Sequence, residues 1–355
     1  MRSSRHPMLL AAALTAATLP VVPAEAAVRA GSVPAEATAP AASLPAAHIP
    51  PSAFLPAKAT APVAPVPAVA TVRPVAAITA DFPDPDVVRA GSTLYAYSTS
   101  GSAGTVPVAS APSATGPWTM RGDALPGKPS WAGEGGFWAP DVSRRADGRY
   151  LMYFTAPSAA AGRMCVGAAL SPGPLGPFRP LGDGPLVCDA REGGDIDPAS
   201  FVDADGKRYL LYKNDGNALT PHAPSIIWLQ EVRADGVTFA GPRRELIRND
   251  RPDEQGVIEA PVLVGRPDRY VLFYAGGSYT GDRYFTGYAT SATLAGPFAK
   301  AGQPLMTTGG LGGAVQGPGG ADVLGERIFF HGWAGKVRWM YTAELGWVNG
   351  KPVLR

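Results

Sequence analysis

The sequence predicts an all-β protein, a five-bladed β-propeller with blades of about four antiparallel strands, preceded by a disordered Ala/Pro-rich segment. Three observations carry the prediction. Short aromatic and aliphatic runs alternate with glycine turns from Asp81 onward, no stretch has the period of a long amphipathic helix, and two sequence markers recur together five times.

Residues 1–26 have the form of a secretory signal peptide. Arg2 and Arg5 precede an apolar run that starts at Met8, and Ala24-Glu25-Ala26 supplies an A-x-A cleavage site. The run is shorter than the roughly 20 residues a membrane helix needs, and no other stretch is long enough. The expectation is a secreted protein with no membrane attachment after cleavage. Residues 27–77 are mainly Ala, Pro and Val with few charges and no regular period. That composition buries too little apolar area to offset its ordering entropy, so it is read as a disordered linker. Residues 78–355 are then one propeller domain, a size that a single β core can fill.

Within that domain Leu94-Tyr-Ala-Tyr97, Tyr150-Leu-Met-Tyr-Phe154, Tyr209-Leu-Leu-Tyr212 and Tyr270-Val-Leu-Phe-Tyr274 suit buried strands. Asp147-Gly148 and Asp205-Gly206 precede two of them, and Asp-Gly marks a hairpin because Gly accepts the positive φ of a tight turn. A blade opening recurs as Asp84-Pro-Asp-Val87, Ala139-Pro-Asp-Val142, Asp197-Pro198, Glu259-Ala-Pro-Val262 and Gly320-Ala-Asp-Val323, at intervals of about 55 to 63 residues. A blade ending recurs as Gly116-Pro-Trp118, Gly176-Pro-Phe178, Gly236-Val-Thr-Phe239, Gly296-Pro-Phe298 and Gly346-Trp347, the fifth copy being short. Two markers kept in phase argue against a β-sandwich whose turns repeat by chance.

The 31 basic and 29 acidic residues are interspersed, which argues against nucleic acid and anionic membranes as partners. The 43 Gly and 38 Pro suit a turn-rich β protein. Cys165 and Cys188 are the only cysteines. An oxidising destination permits a disulfide between them, and their spacing leaves the bridged and free states open. Without a neighbouring histidine they make no Cys/His zinc site.

In a propeller the first strand of each blade lines the axis, so Asp84, Asp197 and Glu259 converge although they are far apart in sequence. Carboxylates gathered in a funnel are costly to ionise together, and unlike environments leave one protonated and another ionised. Glycoside hydrolysis needs that pairing of acid and base.

At these residues the sequence resembles glycoside hydrolase family 43, five-bladed propellers that act on arabinans, arabinoxylans and xylo-oligosaccharides. The resemblance rests on Asp81-Phe-Pro-Asp-Pro-Asp-Val-Val-Arg89, Phe137-Trp-Ala-Pro-Asp-Val142, Asp195-Ile-Asp-Pro198 and Val257-Ile-Glu-Ala-Pro261, in that order and at blade spacing. It implies Asp84 as general base, Glu259 as general acid, and Asp197 as the residue that orients the acid and modulates its pKa. It also implies an inverting single displacement, with base and acid about 6.5–9.5 Å apart. Asp86 is the competing base. Asp141 is read as a turn or supporting residue, and Asp147, Asp205 and Asp235 as turn residues.

Trp138, Tyr279, His331 and Trp333 are the candidate substrate-binding residues, because sugar sites pair aromatic platforms with a few polar groups. The family's Gly-Pro-Gly-His, whose histidine sits near an axial metal, reads Gly317-Pro-Gly-Gly320 here. An axial calcium or sodium ion would lack that ligand, and no cofactor is required by the chemistry. His331, in Phe330-His-Gly-Trp333, either lines the channel or is a hydrogen-bonded core residue. The substrate expected is an arabinose- or xylose-containing plant polysaccharide, with α-L-arabinofuranosyl linkages favoured, cleaved by a monomer. The alternatives are a β-xylosidase of the same family and an inactive carbohydrate-binding propeller. Sucrose- and fructan-processing propellers open with Trp-Met-Asn-Asp-Pro-Asn-Gly, which does not occur.

Overall fold

The computed structural model describes residues 72–355. The signal peptide expected over residues 1–26, and the expected linker up to residue 71, lie outside the described residues. The rest is a five-bladed propeller of antiparallel sheets, and in the first four blades four strands run in sequence order from the axis outward.

The first blade holds β2 (Asp86–Ala90), β3 (Thr93–Tyr97), β4 (Pro107–Ala111) and β5 (Thr119–Asp123). The second holds β6 (Trp138–Arg144), β7 (Tyr150–Ser158), β8 (Arg163–Ser171) and β9 (Arg179–Pro180). The third holds β10 (Asp195–Val202), β11 (Arg208–Asn214), β12 (Ile226–Val232) and β13 (Arg244–Arg248). The fourth holds β14 (Ile258–Arg266), β15 (Arg269–Gly276), β16 (Phe285–Ser291) and β17 (Ala299–Lys300).

The fifth blade departs from the sequence expectation. Its β18 (Gln316–Leu324), β19 (Arg327–Ala334) and β20 (Val337–Val348) are completed on the outside by β1 (Val75–Ile78), and β21 (Lys351–Leu354) pairs with the far end of β20. The blade is therefore not short, and its outer strand comes from the other end of the chain. Residues 75–77, read as linker, belong to this strand. The Gly346-Trp347 marker is also not a blade ending: both residues lie inside β20, opposite Val353 and Pro352.

The middle strands carry continuous apolar runs because both of their faces are covered by neighbouring blades. Leu151, Tyr153, Leu210 and Tyr212 pack between the second and third blades in this way. At the hairpins Asp147, Asp205 and Asp235 each accept the backbone N–H two residues on, at 3.2, 2.9 and 2.9 Å. Only three short 3₁₀ turns interrupt the strands among the described residues, and none of the helices there is long and apolar enough to cross a membrane.

Cys165 on β8 and Cys188 are joined in a disulfide with Cα atoms 4.9 Å apart, across a separation of 23 residues. Loop-closure entropy puts its contribution at about 3 kcal/mol. The bridge ties down the segment that leads into β10, and therefore the strand entry that bears Asp197.

Candidate active site

Each blade meets the axis with one residue in the left-handed region: Asp84 (φ 50°), Ala139 (42°), Asp197 (53°), Ala260 (50°) and Gly320 (55°). In the first four blades a proline follows. The strained residue kinks the innermost strand and turns its own N–H sideways toward the preceding blade. Asp84 and Asp197 occupy this position, but Glu259 stands one residue before it, in register with Trp138 and Ile196. The three acids are not equivalent copies.

In the first, second and fifth blades the second strand supplies an acceptor for that N–H of the next blade. Ala139 N–H donates to Thr99 Oγ1 at 2.8 Å, Asp197 N–H to Thr155 Oγ1 at 3.0 Å, and Asp84 N–H to His331 Nδ1 at 3.1 Å. Register places Lys213 at the corresponding point of the third blade, opposite Ile196 as Thr155 is opposite Trp138. An ammonium group cannot accept. Ala260 N–H turns instead to Asp197 Oδ2 at 3.0 Å, so Asp197 is fastened to the peptide that follows Glu259.

Asp84, Asp197 and Glu259 line one open cavity of about 300 Å³, with Trp138 and Tyr279 on its walls. These two aromatics are 38% and 48% exposed, and the Arg338 guanidinium lies over one face of the Tyr279 ring at 5.3 Å. His331 and Trp333, the other two binding candidates, do not line the cavity. His331 is fully buried and its ring stacks on Tyr284 at 5.7 Å. Trp333 stands behind the wall and donates its indole N–H to the Tyr279 carbonyl at 2.7 Å.

The carboxyls have unlike surroundings. Burial works against ionisation of Asp84, but the Arg338 guanidinium at 3.5 Å and the Thr99 hydroxyl at 2.6 Å outweigh it. They hold Asp84 well below the usual carboxylate range. Asp197 goes the other way: burial, then the charge of Glu259, push it up to about 8. Asp197 therefore holds its proton to higher pH than Asp84 does. Glu259 Oε2 lies 3.1 Å from Lys213 Nζ, and its Oε1 accepts from the Tyr284 hydroxyl at 2.9 Å. Burial and Glu259 push the Tyr284 hydroxyl well up, which keeps it a donor.

Asp86 and Asp141 lie elsewhere. With Asp322 they occupy the position two residues after the left-handed one, around a smaller axial cavity of about 40 Å³. Each joins its blade to the next: Asp322 accepts from Val87 N–H at 2.8 Å, Asp86 from Val142 N–H at 2.9 Å, and Asp141 from the Ser200 hydroxyl at 2.5 Å. Asp86 is absent from the walls of the larger cavity, and Asp141 is an inter-blade tie rather than a turn residue.

These buried acids give a testable pH dependence. Burial, and then Asp141, push Asp322 up to about 7, and Asp86 is raised well above its ordinary value by burial, Asp141 and Asp322. A carboxyl with a raised folded-state pKa binds more protons folded than unfolded. Its stabilisation is complete below its unfolded pKa, about 4, and is lost as pH rises through its folded value. Thermal melts from pH 5 to 8 should show a falling midpoint, and Asp322→Asn should flatten that fall. An unchanged slope in the variant would contradict the assignment.

Four residues at the site carried no motif: Thr99, Lys213, Tyr284 and Arg338. Aligning the strand runs would have exposed Lys213, since Thr155, Lys213, Ala275 and His331 each directly follow the last aromatic residue of a run.

The family resemblance implies an axial ion, and the residues present do not make a site for one. His331 Nδ1 is taken by the Asp84 N–H, and its Nε2 has no partner among the described residues. Any Cβ at residue 320 would lie 2.6 Å from His331 Nδ1 and 2.8 Å from Asp84 Oδ1, so His331 fills the room beside Gly320. Among the described residues no group of three His, Cys, Asp or Glu side chains is arranged to hold a metal.

Three acids with unlike surroundings, lining one cavity with two exposed aromatics, fit a glycosidase. The family model described as "Glycosyl hydrolases family 43" matches residues 73–332, and the chain belongs to that family. It is 26% identical over 283 residues to a probable arabinan endo-1,5-α-L-arabinosidase C of Aspergillus flavus, covering 70% of this chain and 83% of the relative. It is 28% identical over 223 residues to an extracellular endo-α-(1→5)-L-arabinanase 2 of Bacillus subtilis, covering 56% of this chain and 45% of that protein. A solved thermostable family-43 glycoside hydrolase superposes with a TM-score of 0.70 at 26% identity, covering 80% of this chain and 95% of that one.

Proposed function

We propose that the protein hydrolyses α-L-arabinofuranosyl linkages of arabinan by inverting general acid/base catalysis. The single observation that carries the mechanism is that three acids with unlike partners line one cavity: Asp84 beside Arg338 and the Thr99 hydroxyl, and Asp197 fastened to the peptide that follows Glu259. Asp84 draws a proton from a water poised below the anomeric carbon, and Glu259 delivers one to the departing glycosidic oxygen. Asp197, fastened to Ala260, holds Glu259 in place and keeps the pair's proton by like-charge repulsion. Trp138 and Tyr279 offer ring faces to the sugar.

The arabinan assignment follows the names of the relatives, and export follows the signal-like residues 1–26 together with the extracellular relative. Incubation of the purified protein with linear arabinan, arabinoxylan and xylo-oligosaccharides tests the substrate. Release of arabino-oligosaccharides from linear arabinan is expected. Xylose as the dominant product would instead favour the β-xylosidase reading, and no product from any of them the binding-propeller reading.

A further inference from the structure

The second strand of every blade sets one side chain beneath the left-handed residue of the next blade. Thr99, Thr155 and His331 act there as acceptors; Lys213 and Ala275 do not, and of these two only Lys213 carries a charge. Its side chain is 0% exposed, and a fully buried ammonium persists only against anionic partners. It has two, Asp215 Oδ1 at 3.2 Å and Glu259 Oε2 at 3.1 Å. Asp215 lies two residues further along the chain and reaches the same cavity.

We propose that Lys213 is a positioning residue of the reaction: clamped by Asp215, it orients Glu259 and sets the pH at which the Asp197–Glu259 pair gives up its last proton. The inference rests on the acid role proposed for Glu259. Without Lys213 at this point, a threonine would take the Ala260 N–H and Asp197 would be free to turn away. The lysine therefore acts twice, by charge on Glu259 and by leaving the Ala260 N–H to Asp197.

The groups that face the pair leave Lys213 as the decisive cation. Lys213 and Asp215 come from the third blade, Tyr284 from the entry to β16, Asp84 from the first blade, His331 from β19 and Arg338 from β20. Tyr284 is a neutral donor. Arg338 is engaged by Asp84. Burial lowers His331, and its Nδ1 accepts a peptide N–H, so it is neutral too. Burial disfavours the charge on Lys213 itself, but Glu259, Asp215 and Asp197 more than restore it.

The test is kcat/KM on linear arabinan against pH for wild type, Lys213→Met, Lys213→Arg and Asp215→Asn, each checked for folding by circular dichroism. The alkaline limb reports loss of the acid's proton. Removing a positive charge in contact with the pair raises its pKa, so Lys213→Met should carry that limb upward by about one unit or more. Asp215→Asn leaves the ammonium to Glu259 alone and should carry the limb downward, while Lys213→Arg should keep it near wild type. If Lys213→Met does not fold, the Asp215→Asn and Lys213→Arg limbs decide. A uniform loss of activity with both limbs in place would overturn the proposal, because that is what a purely structural lysine gives. Glu259→Gln, run alongside, separates the two failures. Full activity in Glu259→Gln sinks the acid role itself, whereas an inactive Glu259→Gln with unmoved limbs sinks only the role of Lys213.

Discussion

Replacing Asp84 by Asn is expected to lower kcat on linear arabinan by about 10²–10⁴-fold, with little change in KM. Asparagine has the same shape and keeps the Thr99 hydrogen bond that holds residue 84 beside Ala139. It cannot take a proton from water. Arg338 and the Thr99 hydroxyl hold wild-type Asp84 ionised below neutral pH, so the base is ready at working pH. Because a lowered folded-state pKa stabilises above the unfolded value and fades as pH falls through the folded one, the variant should also melt slightly earlier at pH 7. Initial rates on arabinan check the main effect. A loss under about tenfold would move the base elsewhere.

The second large effect depends on the leaving group. Glu259→Ala should lower kcat/KM on arabinan by about 10²–10⁴-fold, since a sugar hydroxyl leaves poorly unless it is protonated. On an aryl α-L-arabinofuranoside with an acidic phenol the leaving group needs little proton transfer, so the loss should be far smaller. The variant also strands Lys213 with one partner and leaves the Tyr284 hydroxyl without its acceptor, which predicts a lower melting temperature. Kinetics on both substrates decide the matter. Equal losses on the two would show that Glu259 binds or supports rather than protonates.

Much of the fold was legible because a propeller repeats. The Asp-Pro and Ala-Pro openings mark the left-handed kinks of the first four blades, and the aromatic runs mark the middle strands that both neighbours cover. The closing strand was not legible. Val75-Ala-Ala-Ile78 has the same texture as the segment before it, and its partner β20 lies at the other end of the chain. Contacts of such sequence separation leave no local pattern. The acids of the site were legible by type and spacing, but their registers were not. A single kinked residue places Glu259 one step out of phase with Asp84 and Asp197, and the same kink hands Asp86, Asp141 and Asp322 to the inter-blade ties. Lys213 and Arg338 were missed because a lone basic residue at a strand end looks like any other solvated charge. Only the register shows that Lys213 replaces an acceptor.

The most direct test of the account is the configuration of the first product formed from an aryl α-L-arabinofuranoside, followed by ¹H NMR from the first minutes of reaction. A water activated by Asp84 on the face opposite Glu259 attacks once, so the β anomer should appear first and the α anomer only later, by mutarotation. First appearance of the α anomer would mean that a carboxylate attacks the sugar and a second displacement follows, and it would contradict the roles assigned to Asp84 and Glu259.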